Sequence, residues 1–172
     1  MPKPNSKNYS KIAICLAIVF AVWFALDRFT KIYFDANFSL GEKITDSIFG
    51  IFHLTLVHNT GAAFGIFATA TIALAIVSAF VSLVLLAMPF INQRLMDVGK
   101  STYQLKTLHL ICLGVVAAGG IGNAIDRFFT GYVVDFICFD FIDFPVFNIA
   151  DIGVTCGILL LVILMLVDLR RA

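Results

Sequence analysis

Four apolar stretches dominate the chain, roughly Ile12 to Phe34, Thr71 to Ile91, Leu105 to Ile125 and Val146 to Leu169. Each is close to the ~20 residues that an α-helix needs to cross about 30 Å of hydrocarbon, and inside a bilayer a helix is the form that satisfies its own backbone groups. A mean hydropathy of +0.99 with 60% hydrophobic and 13% charged residues excludes an ordinary water-soluble domain of 172 residues. The expectation is an all-α integral membrane protein of four transmembrane helices.

The placement of charge gives an orientation. Lys3, Lys7 and Lys11 precede the first stretch, Arg94, Lys100 and Lys106 separate the second from the third, and Arg170 and Arg171 follow the fourth. By the positive-inside rule these segments are cytoplasmic, with both termini inside. The opposite segments carry Arg28, Lys31, Lys43 and Arg127 but also Asp27, Asp35, Glu42, Asp46, Asp126, Asp135, Asp140, Asp143 and Asp151, so the polar chemistry belongs outside. The first stretch is not read as a cleaved leader, because Trp23 and Phe24 stand where small residues would be needed and Asp27, Arg28 and Lys31 continue the helical pattern. The formal charge of +1 and the lack of basic clusters with interleaved aromatics argue against nucleic acid. Cys15, Cys112, Cys138 and Cys156 show neither CxxC nor His-Cys spacing, which points to no metal site and no disulfide framework.

Residues 35 to 65 are too many for a tight connection and too apolar for a solvated one, which predicts a folded outer subdomain. Within it IFHLTLVH alternates Phe52, Leu54 and Leu56 with His53, Thr55 and Val57, the pattern of a half-buried strand. The preceding SLGEKITDSIFGIF fits a short amphipathic piece on the membrane surface. His53 and His58 are candidate bases, although a strand histidine at an interface is more commonly a plain polar surface residue.

In the third stretch Gly114, Ala118 and Gly122 recur every four residues, a stripe that permits close helix packing. Asn123 and Asp126 share a face beyond it. The plain expectation for this pair is structural: Asn123 bonding across helices, Asp126 pairing with Arg127 at the interface. Next, FFTGYVVDF turns at Gly131 and presents Asp135 on a short strand or turn. The fourth stretch begins FNIAD, where Asn148 and Asp151 admit two readings. They can cap the helix as an i, i+3 pair, or Asp151 can be functional, since an acid in a span is costly and marks a site by default. Asp135 and Asp151 thus reach the outer interface from different directions. Two close carboxylates do not easily ionise together, and a pair sharing one proton can both polarise a carbonyl and activate water.

These segments, LDRFTK, HNTGAAFGIF, GGIGNAIDRFFTGYVVDF and FPVFNIAD in that order among four spans, resemble the bacterial lipoprotein signal peptidases, signal peptidase II, over essentially the whole chain. The resemblance implies one polytopic peptidase domain over residues 1–172, with four helices, a small extracytoplasmic β-cradle and a surface amphipathic helix. It implies an aspartyl endopeptidase of the cytoplasmic (inner) membrane that removes signal peptides from diacylglyceryl-modified prolipoproteins just before the lipidated cysteine. The catalytic aspartates then fall on Asp135 and Asp151, and supporting or substrate-binding positions on Asp27, Lys31, Asn59, Gly61, Asn123, Asp126, Arg127 and Asn148. Arg28 sits at a variable position. No metal or organic cofactor is implied; the partners are the lipidated substrates and membrane lipid, and the protein is expected to act as a monomer. Three rivals make different demands. A proton-coupled transporter would need a repeat or a polar path across the membrane, a scaffold would use the same polar residues for packing alone, and a metallo-hydrolase would need an HExxH-type spacing that is missing.

Overall fold

The computed structural model describes residues 6–61 and 70–170. The elements run α1 (Ser6–Asn37), β1 (Phe52–Asn59), α2 (Thr71–Asp97), α3 (Thr107–Phe129), β2 (Val133–Phe139) and α4 (Ile149–Leu169). All four helices are long and apolar enough to cross a membrane. They outrun the apolar stretches at several ends because the polar flanks of each span continue the helix: α1 begins six residues before Ile12 and α2 continues six past Ile91.

α3 is the central helix, buried along most of its length, while α1, α2 and α4 pack round it and show their outer faces. Small residues make this possible. A Cβ at Gly119 would press on the backbone carbonyl of Ala150 in α4, at Gly120 on the Ser82 hydroxyl in α2, and at Gly122 on the Asp27 carboxylate in α1. The glycines therefore let three neighbours approach α3 on three sides, and the predicted Gly114–Gly122 stripe is the α1 side, with Gly114 against Val19.

Outside the bundle, β1 and β2 pair antiparallel with an irregularity between Leu54 and Val57 that gives β1 an extra residue. Phe34, Leu56, Val134 and Phe136 form a small core beneath the ribbon, with the Phe34 and Phe136 rings stacked 4.2 Å apart. The far edge of β2 is covered by a bridge between Ile137 and Phe147. This bridge places Asp135 two residues before one partner and Asn148 directly after the other.

The amphipathic surface helix expected over residues 39–52 is not formed. Gly41 and Gly50 adopt left-handed backbone (φ 76° and 69°), as does Phe49 at 55°, and such residues interrupt a right-handed helix. The segment instead covers the open edge of β1, with the Gly41 and Ile44 amides donating to the Leu56 and Leu54 carbonyls at 2.8 Å each. An unpaired strand edge is a stronger claim on these amides than a short helix. The outer part is thus a small sheet with bridged edges. The motif residues Ala62, Ala63 and Phe64, and the last part of the expected 35–65 subdomain, lie outside the described residues.

Candidate functional site: two aspartates held by amides

β2 and the first turn of α4 deliver Asp135 and Asp151 to one cavity of about 360 Å³, whose polar end also includes Asn59, Asn123 and Arg127. The rest of its wall is apolar, with Phe139, Phe144, Val146, Phe147 and Ile152.

Asp135 is 1% exposed. Its Oδ1 accepts from Asn148 Nδ2 at 2.6 Å and its Oδ2 from Asn59 Nδ2 at 2.9 Å. Burial, and then the neighbouring Asp151 charge, push its pKa up to about 7, against the opposing pull of the two asparagine donors. No cation bonds to it among the described residues.

Asp151 makes the capping box and serves the cavity at once. Its Oδ2 accepts from the Asn148 amide at 3.2 Å while its own amide donates to Asn148 Oδ1 at 3.0 Å. Its Oδ1 remains for Asn123 Nδ2 at 2.8 Å. The cap reading of FNIAD is realised, and the same cap fixes the rotamer that aims the second oxygen at Asn123 and the cavity.

Asn123 is itself oriented by a charge. Lys31, fully buried, donates to Asn123 Oδ1 at 2.7 Å. An ammonium can only donate, so the amide must turn its oxygen to Lys31 and its NH₂ to Asp151. Asn148 Nδ2, besides bonding Asp135, lies 3.2 Å from the same Asn123 oxygen and so ties the two carboxylate branches together.

Below this lies a second pair of carboxylates. Asp27 and Asp126 flank Lys31 Nζ at 3.0 and 2.9 Å, and Arg28 pairs with Asp126 through a short contact. Two anions and two cations make a closed set, as buried charges require. Asp126 therefore pairs with α1 and not with Arg127 as the sequence suggested; adjacent residues on a helix point apart, whereas α1 lies across the glycine face. Asp27 has a further role that no sequence pattern announced: its Oδ1 accepts from the Ala150 amide at 3.1 Å, closing a free amide of the first turn of α4. Arg28, dismissed as variable, completes the cluster.

Gly61 ties together two residues of the cavity wall, Asn59 and Arg127. The Gly61 amide donates to Asn59 Oδ1 at 3.0 Å, which leaves the Asn59 NH₂ facing Asp135. Arg127 Nη2 donates to the Gly61 carbonyl at 3.0 Å. The two histidines stay out of the cavity: His53 bonds Asp140 at 2.7 Å and His58 bonds Asp35 at 2.6 Å while stacking on Tyr132. Among the described residues no group of three His, Cys, Asp or Glu side chains converges as metal ligands would.

Residues 19–167 match the family model described as signal peptidase (SPase) II. A lipoprotein signal peptidase of Thermosynechococcus vestitus is 42% identical over 139 residues, covering 80% of this chain and 82% of that protein. One of Streptococcus thermophilus is 38% identical over 155 residues, covering 90% and 93%. A solved structure described as a bacterial membrane enzyme at 2.3 Å resolution superposes with a TM-score of 0.75 at 27% identity, covering 91% of this chain and 90% of its own. The four spans, the outer ribbon and these similarities agree, and the chain belongs to the signal peptidase II family of membrane peptidases.

Proposed function

We propose that this protein is an aspartyl endopeptidase of a bacterial cytoplasmic membrane, with Asp135 and Asp151 as its catalytic pair, that cleaves diacylglyceryl-modified prolipoproteins immediately before the lipidated cysteine. What supports the reading is that a buried and a half-buried carboxylate on one cavity are held by neutral amides, with no ion pair to either among the described residues. Carboxylates so held can exchange a proton; carboxylates locked to cations cannot do so cheaply.

In the resting pair one proton is shared. Asp135, with its raised pKa, is its natural holder, and Asp151, at the positive end of α4, is the natural anion. The protonated acid donates to the carbonyl oxygen of the scissile peptide while the ionised acid takes a proton from water, whose oxygen attacks the carbonyl carbon. In the tetrahedral intermediate the former water oxygen and the carbonyl oxygen are both hydroxyls. Collapse breaks the C–N bond: one hydroxyl returns its proton to the neighbouring carboxylate as the carboxyl product forms, and the other acid protonates the leaving amine. The shared proton is restored at the end of the cycle.

The apolar wall suits a hydrophobic signal segment, and a substrate already embedded by its acyl chains can reach the cavity from the bilayer. Arg127 and Asn59 stand at the polar end, where they would meet the peptide backbone. The same reading places both termini in the cytoplasm, the cavity near the opposite face, and the activity in a single domain working as a monomer. The test is to incubate the purified protein in detergent with a synthetic diacylglyceryl prolipoprotein peptide and with its unlipidated twin, and to weigh the products. A single cut before the modified cysteine in the lipidated peptide alone supports the reading. Equal cutting of both peptides, or of neither, overturns it.

A further inference from the structure

The opposite end of the bundle carries a feature that the peptidase reading leaves unused. Between the start of α1, the end of α2 and the approach to α3 lies a polar pocket of about 190 Å³, with Asn8, Lys11, Gln93, Gln104 and Thr107 on its wall. A second, apolar crevice of about 260 Å³ is formed by Leu16, Ala17 and Phe20 of α1 and Leu86 and Phe90 of α2. The two follow one another along the same faces. Ile12 of the pocket and Leu16 of the crevice are one turn apart on α1, as are Phe90 and Leu86 on α2, with Gln93 one turn beyond Phe90. From Lys11 to Phe20 the helix rises about 13 Å. Ile12 and Leu16 are buried beneath, so the crevice has a solid floor.

A polar pocket leading into an apolar slot has the outline of a glycerophospholipid, and charge selects among lipids. None of the ion pairs among the described residues involves Lys11. Of the two acids at this end, Asp168 pairs with Lys106 at 2.5 Å and accepts from Tyr103 at 3.2 Å, while Asp97 accepts from the neutral Gln93 at 2.9 Å and keeps its charge. Lys7, Arg94 and Lys100 add positive charge to the same end. A lysine with carboxamide and hydroxyl neighbours is a donor set for a phosphodiester, and its surplus charge favours a headgroup with net negative charge.

We propose that this α1–α2 crevice is a binding site for one anionic glycerophospholipid, with the phosphate at Lys11 and Gln104 and an acyl chain along Ala17 and Phe20. The site lies at the far end of the bundle from Asp135 and Asp151.

Native mass spectrometry of the full chain, released from detergent in the presence of phosphatidylglycerol or phosphatidylethanolamine with matched chains, tests this. One phosphatidylglycerol should be retained about five-fold better than the zwitterionic lipid, the preference expected of one well-placed cation. Gln104→Glu should remove that preference by opposing the phosphate, and Ala17→Phe should lower retention by filling the slot. Both variants should still cleave substrate, which reports that they fold. Equal retention of the two lipids, or unchanged preference in Gln104→Glu together with unchanged retention in Ala17→Phe, would mean annular lipid only and would overturn the proposal. A third arm adds inorganic phosphate: thermal protection by phosphate equal to that by phosphatidylglycerol would make the occupant a free anion and overturn the lipid assignment.

Discussion

The outer end of the bundle contains two pairs of carboxylates that differ in one respect. Asp27 and Asp126 are locked to Lys31 and Arg28, whereas Asp135 and Asp151 are held by Asn59, Asn123 and Asn148. Burial is similar for Asp27, Asp126 and Asp135, all under 4% exposed, so burial alone does not separate the two pairs. The partner does. A cation fixes the ionised form and makes an acid a strut; an amide orients an acid and leaves its proton free to move. The pairs are joined by Lys31, which holds Asp27 and Asp126 with its charge and reaches Asp151 through Asn123.

The comparison breaks most sharply under substitution. Asp135→Asn and Asp151→Asn keep size and one of the two accepted hydrogen bonds but cannot exchange a proton. Each should lower turnover by roughly 10³-fold or more, as loss of an essential acid or base does, without lowering the thermal midpoint. Appreciable cleavage by either variant, followed by product mass, would remove that residue from the pair. Asp126→Asn should do the reverse in kind. Leaving Lys31 and Arg28 with one carboxylate should cost about 3–5 kcal/mol of stability, read as a lower midpoint or poor accumulation. A fully stable but inactive Asp126→Asn protein would place it with the reactive pair.

Asn148→Ser sharpens the boundary between cap and site. Serine starts a helix about as well as asparagine, so α4 should persist. The bond to Asp135 Oδ1 is lost, and turnover should fall by up to about 10-fold for one hydrogen bond to a protonated acid. Circular dichroism with a cleavage assay separates the two effects; unchanged turnover would return Asn148 to a capping role alone.

Much of this architecture was readable beforehand. Hydropathy marked four spans, alternation marked β1, and the acids at VVDF and FNIAD came together as expected in one cavity. The partners were harder to read. Spacing says which residues share a helix face, but it cannot say that Gly122 brings α1 near enough for Asp27 to reach the Ala150 amide, or that Arg28 rather than Arg127 faces Asp126. Those are properties of helix packing. Residues 39–52 form no helix because amphipathic spacing is local, whereas the open edge of β1 that takes up their amides arises from a strand itself completed by residues some eighty positions further on. FNIAD admits a cap and a site reading, and a carboxylate with two oxygens makes the cap with one and still reaches Asn123 on the cavity wall with the other.

The smallest expected effect is on stability. Between the ordinary carboxylate range and about 7 the folded protein keeps a proton on Asp135 that the unfolded chain has released. The wild type therefore loses stability as pH rises through that window, and Asp135→Asn does not. The midpoint of the variant minus that of the wild type should grow steadily from pH 4.5 to pH 7.5. A difference that stays constant would mean that Asp135 titrates as an ordinary surface acid.

If Asp135 and Asp151 act as one titrating unit, the pH dependence of kcat/KM for a lipidated peptide is a bell with two apparent pKa values belonging to the pair, the alkaline limb falling near 7 as the shared proton is lost and the acid limb as both carboxylates become protonated. A profile that stays level from pH 5 to about 9, or that keeps rising through 7, would contradict a shared proton and with it the distinction between the two pairs of acids.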